Sequence, residues 1–431
     1  MNQMEIKEFN IREFGACGDG VKEDTSAIQS AVDAAAKAGG KVIVPSGNYL
    51  TGSLFLKSGI EFHLEKEAVL LGIQDESAYP AVRSRVAGVE MEWPAGIINI
   101  FNGKNISVTG GGRIDGQGRM WWNRYWGEDK KGGMRKEYER QGLRWAVDYD
   151  CRRPRNVIVH ESDHILLKDF KSEQSGFWNL HICYSSNVHI QGITIGENDG
   201  PSTDGIDLDS CSGVLVEQCQ ISCNDDSICI KSGRDADGLR VNRICENIEI
   251  RDCDLSEGSG VTLGSETSGG IRNVRIHNIR YNKTLFGFRI KSARTRGGLI
   301  SDIHVENLVM KNVMEPFSWQ LDWNPDYSYC RIPETYKGHI PEHWNLLAEE
   351  VKPELGMPRV ENIWVKNVRA EADRHMHPES GAFMIDGYEE SPLKNICLED
   401  ISVEARRFGH IRDVDGLVMK GIEVKISAEW E

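Results

Sequence analysis

The sequence predicts an all-β fold: a right-handed single-stranded parallel β-helix with an N-terminal helical cap. Two repeats predict it. A short strand ending in serine occurs at Gly205–Ser210, Ser227–Ser232, Gly260–Ser265 and Gly287–Ser292. A second pattern, apolar-x-apolar-x-x-apolar-x-apolar, occurs at Val188–Ile195, Val214–Ile221, Ile248–Leu255, Val274–Tyr281, Ile303–Met310, Ile396–Val403 and Leu417–Val424. No such unit buries its apolar residues alone, so each must stack on its neighbours.

The cap is expected over residues 1–45. A glycine-rich turn at 14–20 precedes a helix predicted over 24–38, with Asp24 as its N-cap and Gly39 and Gly40 as its stop. Such a helix would close the open end of the coil.

The periodicity indicates one domain over residues 1–431, because no Pro/Ser-rich linker interrupts it. The spacing between repeats is unequal, which predicts two insertions that leave the coil, at 117–154 and 311–358. Both are rich in Trp and Tyr. Insertions in a solenoid usually carry the binding loops, so we expect both to lie over a cleft.

The composition restricts the partners and the compartment. A net charge of −15 argues against nucleic acid or an anionic membrane as the main partner. Eleven cysteines, an odd number with no C-x-x-C pair, indicate a reducing compartment rather than a disulfide framework. With no signal segment and no membrane-spanning stretch in the sequence, we expect a cytoplasmic protein, although a secreted chain trimmed of its signal would look the same. The oligomeric state is not predicted.

Aligning the four short strands aligns their residues in space, because the coils stack. Asp225 lies beside the first column, and His181 is placed in the Arg289 column two turns earlier. The three predicted columns are Asp204, Asp226, Ser259 and Phe286; Asp207, Cys229, Thr262 and Arg289; and Asp209, Lys231, Gly264 and Lys291. Three carboxylates are therefore expected next to two cations.

Such a carboxylate cluster suits the cleavage of a glycosidic bond. Inverting hydrolysis needs one carboxylic acid to protonate the leaving oxygen and one carboxylate to activate water, roughly 6.5–9.5 Å apart. Crowded like charges raise the pKa of at least one of them, as a general acid requires. Turn formation and a bound Ca²⁺ are alternative explanations for three stacked aspartates.

Four motifs in order, at Ser202–Asp207, Asn224–Asp226, Gly258–Gly260 and Arg289–Lys291, resemble those of family 28 of the glycoside hydrolases, the polygalacturonases and rhamnogalacturonan hydrolases. The resemblance implies a parallel β-helix that hydrolyses a pectic chain at α-linked galacturonic acid with inversion. It makes Asp225 the general acid and Asp204 with Asp226 the holders of the water. No cofactor or metal is expected.

Two positions depart from the family pattern. Ser202 stands where polygalacturonases usually have Asn, and Ser259 replaces the histidine of a Gly-His-Gly motif. Members that act on rhamnogalacturonan also lack this histidine, so the resemblance shifts the expected substrate away from plain homogalacturonan.

Five residues are expected to bind the anionic pectic oligosaccharide: Arg289, Lys291, His181, Ser259 and Lys231. Arg289 and Lys291 are two residues apart on a strand and share its outward face, where an arginine offers two parallel hydrogen bonds to a carboxylate. A salt-bridge ladder with the acids of the same columns is the structural alternative.

The two insertions would block one end of the cleft if both rise over it, which predicts an exo-acting enzyme. Two other functions remain open. A polysaccharide lyase of the same architecture would need Ca²⁺ and a basic residue, and a non-catalytic carbohydrate-binding β-helix would bind without turnover.

Overall fold

The computed structural model describes residues 7–372 and 377–426. Over these residues the chain forms a right-handed parallel β-helix, which confirms the predicted fold. Neighbouring coils are joined by parallel ladders. The antiparallel strand pair is a hairpin of β8 (Ala81–Val86) and β9 (Val89–Pro94) beside the coil.

Two parallel sheets run along the coil. The larger has 21 strands: β1 (Glu8–Asn10), β2 (Asp19–Glu23), β3 (Lys41–Val44), β4 (Gly47–Thr51), β6 (Glu61–Leu64), β7 (Ala68–Gly72), β11 (Lys104–Thr109), β12 (Arg113–Asp115), β14 (Asp163–Lys168), β15 (Lys171–Glu173), β17 (Ser186–Gln191), β18 (Thr194–Gly196), β20 (Ser212–Glu217), β21 (Gln220–Ser222), β23 (Cys245–Arg251), β24 (Asp254–Ser256), β26 (Ile271–Asn282), β28 (Leu299–Lys311), β30 (Arg359–Glu371), β32 (Leu393–Ala405) and β34 (Val414–Ile426).

The smaller sheet has 11 strands: β5 (Leu54–Leu56), β10 (Ile98–Phe101), β13 (Val157–His160), β16 (Leu180–Cys183), β19 (Ile206–Asp209), β22 (Ile228–Lys231), β25 (Val261–Leu263), β27 (Phe286–Lys291), β29 (Glu315–Gln320), β31 (Gly381–Asp386) and β33 (Arg407–Arg412). The four short strands of the first repeat are β19, β22, β25 and β27. The helices are α1 (Thr25–Ala38), α2 (Arg119–Trp126), α3 (Gly133–Arg140), α4 (Val147–Asp150), α5 (Asp235–Val241), α6 (Pro325–Ser328), α7 (Glu342–Leu347) and α8 (Pro353–Gly356), with 3₁₀ turns at Ile11–Phe14 and Glu76–Ala78.

The bend in the second repeat has a local cause. In β26 the second of the two central residues, Asn278, has a φ of 58°, and Asn307 takes the same place in β28 with a φ of 59°. One left-handed residue turns the chain while the apolar residues on both sides keep pointing inward. The Asn307 side chain donates to the Asn278 side-chain oxygen of the preceding coil at 3.1 Å, so the bends also stack.

The N-terminal cap forms with one difference from the prediction. Helix α1 buries Ile28, Val32 and two alanines against the first coils and ends at Gly39, whose φ is 67°. Asp24 stands at the N-cap position but makes no side-chain hydrogen bond to the helix. Its carboxylate instead accepts the backbone N–H groups of Cys17 and Gly18, at 2.7 and 2.9 Å, and so holds the glycine-rich turn.

The second insertion begins later than predicted. Strand β29 pairs in register with β27, and its Phe317 and Trp319 are fully buried in the coil. The chain therefore leaves the coil after Gln320, and the predicted start at 311 is wrong. We call residues 116–156, between β12 and β13, the first insertion, and residues 321–358, between β29 and β30, the second insertion.

The eleven cysteines are free thiols. No helix within residues 7–372 and 377–426 is long and apolar enough to cross a membrane.

Two valines of one strand test the inward and outward assignment of the coil. Val305 of β28 is 1% exposed and Val309 is 53% exposed. We expect Val305→Ala to lower the free energy of unfolding by roughly 2 kcal/mol, because it removes buried methyl groups and leaves a cavity. Val309→Ala is the matched control and is expected to have little effect in the same denaturant titration. Equal losses in both variants would contradict the assignment.

Candidate active site

The register of the smaller sheet brings the three aspartates together. Ile206 pairs with Ile228, and the Gly205 N–H donates to the Asp226 carbonyl oxygen at 2.9 Å. Asp204 therefore lies next to Asp226 on the neighbouring coil, with Asp225 beside it. One carboxylate oxygen from each of the three residues lies within 4.8 Å of the other two.

These carboxylates are closer together than the sequence-based expectation of 6.5–9.5 Å. The reason is the stacking itself, because strands of neighbouring coils lie only about 4.8 Å apart. Asp225 is also the chain neighbour of Asp226. The separation of the nearest oxygens thus does not by itself indicate inversion.

Asp226 is held as a carboxylate. It is 1% exposed, and burial alone would raise its pKa, but the charges of Lys291 and Arg289 outweigh burial and bring the pKa to about 2. Lys291 Nζ lies 2.6 Å from one carboxylate oxygen, and Thr262 Oγ1 donates to the other at 2.8 Å. Asp226 is therefore suited to act as a base near neutral pH.

The other two aspartates are shifted in the opposite direction. Burial raises the pKa of Asp204 well above its ordinary value, and the nearby charges of Asp207 and Asp225 raise it further. Burial also raises the pKa of Asp225, with the charge of Asp226 as the next cause. The cluster thus contains one ionised carboxylate and two carboxyls that hold protons more tightly, which is the division of roles that acid–base catalysis requires.

Lys231 neutralises a second group of acids at the floor of the site. Its Nζ lies 3.6 Å from Asp204, 3.3 Å from Asp207 and 3.3 Å from Glu266. Burial would raise the pKa of Glu266, but the charges of Lys231 and then Arg296 lower it to about 2. Burial raises the pKa of Asp207 to about 7, because Lys231 offsets the effect of burial only in part. Lys231 therefore lies where the sequence places it, but carboxylates already surround it.

Arg289 and Lys291 share the outward face of β27, as predicted, while Phe288 and Ile290 are fully buried. Arg289 Nη1 lies 3.7 Å from Asp226, and Lys291 Nζ lies 4.5 Å from the ring centre of Trp323. The alternative to substrate binding is a salt-bridge ladder between these two cations and the acids of their own columns. The described residues do not form this ladder.

Those acids have other partners. Asp207 lies 3.3 Å from Lys231, and Asp209 accepts a hydrogen bond from Arg85 at 2.9 Å. Neither lies in an ion pair with Arg289 or Lys291 in the part of the chain that the structure describes. The two cations of β27 instead face Asp226.

His181 does not reach the place expected for it. It is in the Arg289 column, but four ladder steps earlier rather than two, because it pairs with Asp207. Its ring is fully buried, lies edge-on beneath Trp178 at 4.9 Å and contacts Arg155. Direct contact with substrate does not fit this position, and His181 instead supports Trp178.

Ser259 lies beside the aspartates but outside the lining of the pocket. Its backbone N–H donates to the Asp225 carbonyl oxygen at 2.8 Å, and the residue is 6% exposed. It therefore fixes the backbone of Asp225, and its part in substrate binding stays a prediction.

The aspartates open into a cavity of about 210 Å³ with walls from four parts of the chain. The hairpin β8–β9 contributes Ala87, and the coil contributes the floor. Residues of both insertions also line it. The lining residues are Ala87, Arg144, Asp148, Phe177, Trp178, Ser202, Asp204, Asp225, Asp226, Lys231, Ser265, Glu266, Lys291, Trp323, Asn324 and Tyr327.

The hairpin wall is missing from the sequence-based prediction. Arg85, fully buried, pairs with Asp209 at 2.9 Å and so fixes the hairpin to the floor of the cleft. At the tip, the Gly88 carbonyl oxygen accepts the Arg234 N–H at 2.9 Å and the Ala87 carbonyl oxygen accepts the Tyr149 hydroxyl at 2.8 Å. A sequence signal exists, since two alternating runs flank the two-residue turn Ala87-Gly88.

The two insertions are joined to each other above the pocket. Asp150 of the first insertion accepts hydrogen bonds from Trp344 Nε1 and lies 2.6 Å from His343 Nε2 of the second. Trp145 Nε1 donates to the Arg331 carbonyl oxygen at 3.1 Å. Most of the insertion aromatics form these contacts and small buried cores, while Trp323 and Tyr327 line the pocket.

Two groups of side chains have the spacing of metal ligands, but cations lie against both. In the aspartate cluster Lys291 already bonds Asp226. In the group of His181, Cys183 and Asp209, Arg85 bonds the aspartate and Arg155 contacts the histidine at 2.6 Å. Positive charge next to the ligands disfavours a metal ion at either place.

The match that decides the family is a model of glycosyl hydrolases family 28, which covers residues 37–336. The chain belongs to this family. It is therefore a glycoside hydrolase. A second model, rhamnogalacturonase A/epimerase, pectate lyase-like, matches residues 8–63, which are the cap and the first coils.

Individual proteins resemble most of the chain. A probable polygalacturonase of Vitis vinifera is 31% identical over 91% of this chain and 74% of its own length. An exo-poly-alpha-D-galacturonosidase of Dickeya chrysanthemi is 28% identical over 71% of this chain and 56% of its own length. The crystal structure of a hyperthermoactive exopolygalacturonase from Thermotoga maritima superposes with a TM-score of 0.79 and 28% identity, covering 98% of this chain and 93% of that one.

Removing the proposed acid is expected to lower activity without lowering stability. Asp225→Asn should lower kcat roughly 10²- to 10⁴-fold, because the leaving oxygen is no longer protonated. A carboxyl whose pKa is raised by folding destabilises the folded state as pH rises from the unfolded value of 3.8 through the folded pKa. The variant should therefore melt at the wild-type temperature or above it at pH 7.

Asp252→Asn is the matched control for this measurement. Asp252 lies on the coil surface with a φ of 54°, a conformation that asparagine also adopts readily. Its activity and melting temperature should equal those of the wild type. Unchanged turnover in Asp225→Asn would remove Asp225 from the role of acid.

Proposed function

We propose that this glycoside hydrolase is an exo-acting galacturonidase that removes galacturonic acid from one end of a pectic oligosaccharide. The observation that carries the proposal is the position of the hairpin tip and both insertions around the acid–base cluster. Ala87 of the hairpin and residues of both insertions line the cavity of about 210 Å³ beside the aspartates, where they would stop the bound chain after one sugar ring. The relatives named as exo-acting support the same conclusion.

In the proposed reaction Asp225 gives its proton to the glycosidic oxygen as the bond from that oxygen to the anomeric carbon breaks. A water molecule held by Asp226 and Asp204 attacks the anomeric carbon, and its proton passes to the Asp226 carboxylate. The proton affinities fit these roles, because burial raises the pKa of Asp225 while Lys291 and Arg289 keep Asp226 ionised. Each turnover then returns one proton from Asp226 to Asp225 through solvent.

Inversion is proposed from the contacts of Asp226. Both of its carboxylate oxygens are already engaged, one by Lys291 and one by Thr262. These two contacts stabilise the negative charge of the carboxylate and so make it a weaker nucleophile toward carbon, while a lone pair remains on each oxygen to hold a water. The aspartate is therefore better placed to activate water than to become a nucleophile.

The proposed bond links galacturonic acid to galacturonic acid. Arg289, with Nη1 3.7 Å from Asp226, lies next to the acid–base pair, and a carboxylate on the leaving sugar would be its natural partner. The polygalacturonase relatives favour this choice, while Ser259 in place of histidine is the feature shared with enzymes of rhamnogalacturonan. Both polymers therefore belong in the assay.

Product analysis tests the exo mode. On a linear oligogalacturonide of about ten residues we expect galacturonic acid and the oligomer shortened by one residue as the only products at the earliest time point, because the hairpin and the insertions are proposed to stop the chain after one ring. Chromatography of the products with time is the measurement, with rhamnogalacturonan oligosaccharides in parallel. Dimers and oligomers of intermediate length at early times would overturn the exo proposal, and an unsaturated product absorbing in the ultraviolet would indicate a lyase.

A hairpin variant tests whether β8–β9 closes the pocket. Residues 85–90 are replaced by Asn-Gly, together with Asp209→Asn so that no buried charge loses its partner Arg85. Circular dichroism checks that the coil remains folded, and Arg85→Met/Asp209→Asn, which removes the same ion pair but keeps the hairpin, is the control. We expect dimers and oligomers of intermediate length at early times only in the shortened variant. If the shortened variant still releases galacturonic acid one residue at a time, the insertions rather than the hairpin close the pocket.

Proton NMR of the first turnovers tests the stereochemistry. For an α-linked substrate we expect the β-anomer of galacturonic acid to appear first and the α-anomer only as mutarotation proceeds, because the water attacks from the face opposite the leaving group. Initial formation of the α-anomer would show retention and would make one of the aspartates a nucleophile.

A further inference from the structure

The pocket contains more acids than cations, although its proposed substrate is an anion. Among the described residues five carboxyl side chains line it and three cations do: Arg144, Lys231 and Lys291. A galacturonate carboxylate entering the pocket needs a cation whose hydrogen-bond donors are not already used. The contacts of the three cations therefore indicate where this carboxylate can bind.

Two of the cations are committed to protein carboxylates. Lys291 bonds Asp226 at 2.6 Å. Lys231 lies within 3.6 Å of three carboxylates, those of Asp204, Asp207 and Glu266. Each substrate contact to either lysine would compete with an existing ion pair.

Arg144 of the first insertion is different. Its Nη1 donates to Asp148, while Nε and Nη2 have no hydrogen-bond partner within the described ranges. Glu139 lies 3.9 Å from Nε, beyond hydrogen-bond distance. The Arg144 side chain is 20% exposed, so these donors can be reached.

The guanidinium of Arg144 is also held in a defined orientation. Asp148 fixes one end of it, and Asp148 is itself held by the Tyr125 hydroxyl at 2.9 Å. The ring of Tyr327 lies 5.6 Å from the guanidinium carbon on the side of the second insertion. A guanidinium held in this way offers two parallel N–H groups to a carboxylate at little entropic cost.

We propose that Arg144 binds the carboxylate of the terminal galacturonate and makes the pocket specific for an acidic sugar at the chain end. This inference rests on the proposed function and adds the residue that selects the substrate. It also gives the first insertion a second role: the insertion covers the pocket and supplies the specificity-determining cation.

The test compares two substrates that differ only in charge: trigalacturonic acid and the same trisaccharide with its non-reducing terminal carboxyl methyl-esterified. The wild type should prefer the acid. Arg144→Gln should lower kcat/KM for the acid roughly 10- to 100-fold, mainly through KM, and change it little for the ester. Arg144→Lys should restore part of the preference. Arg294→Gln, at an exposed arginine paired with Glu390, is the control and should behave as the wild type.

A loss of equal size on both substrates would assign Arg144 a purely structural role, and an unchanged preference would remove it from the pocket's selectivity. Binding gives a readout that does not depend on turnover. Calorimetric titration of the Asp225→Asn protein should show galacturonic acid binding and galactose not, with the difference lost in Asp225→Asn/Arg144→Gln. If the wild type hydrolyses neither trisaccharide but this binding difference is found, the proposed reaction fails while the role of Arg144 stands.

Discussion

The parallel register between neighbouring coils is the constraint on which the site depends. Ile206 pairs with Ile228, Ile228 with Val261 and Val261 with Phe288, so the residues next to these buried positions stack in fixed columns. A slip of one residue in any ladder would turn the aspartates and the cations into the core. The apolar face of the smaller sheet thus fixes the positions of these side chains.

Stacking at the spacing of a β-ladder also brings several carboxylates into mutual repulsion. Carboxylates on adjacent coils lie so close that they cannot all ionise at neutral pH. The two lysines divide them into groups: Lys291 stabilises the charge of Asp226, and Lys231 that of Glu266. The pKa values of the remaining carboxyls, those of Asp204, Asp207 and Asp225, are raised. The same crowding that would destabilise the fold therefore supplies a proton donor beside a base.

The sequence predicts the coil, the aspartate column and the outward placement of Arg289 and Lys291, because all of these follow from local periodicity and from pairing between neighbouring repeats. It does not predict the walls of the pocket. Arg85 meets Asp209 across 124 residues, and Trp344 meets Asp150 across 194. No repeat in the sequence predicts such long-range contacts. The position assigned to His181 is wrong for a related reason, since counting turns without the intervening ladders places it two coils too close.

The segments that line the pocket also bury Asp225, so the same packing shapes the pocket and raises the pKa of this carboxyl. The hairpin and the insertions line the pocket around the aspartates, and burial is the largest cause of the raised pKa of Asp225. An open cleft would expose the same carboxyl to solvent, which would lower its pKa and weaken it as a proton donor near neutral pH. In the proposed exo mode only a chain end enters the pocket, and an anionic chain end entering it needs a cation of its own. Arg144, carried by one of the covering segments, is positioned to supply this charge, so selection of the terminal sugar and activation of the acid both depend on how the insertions pack.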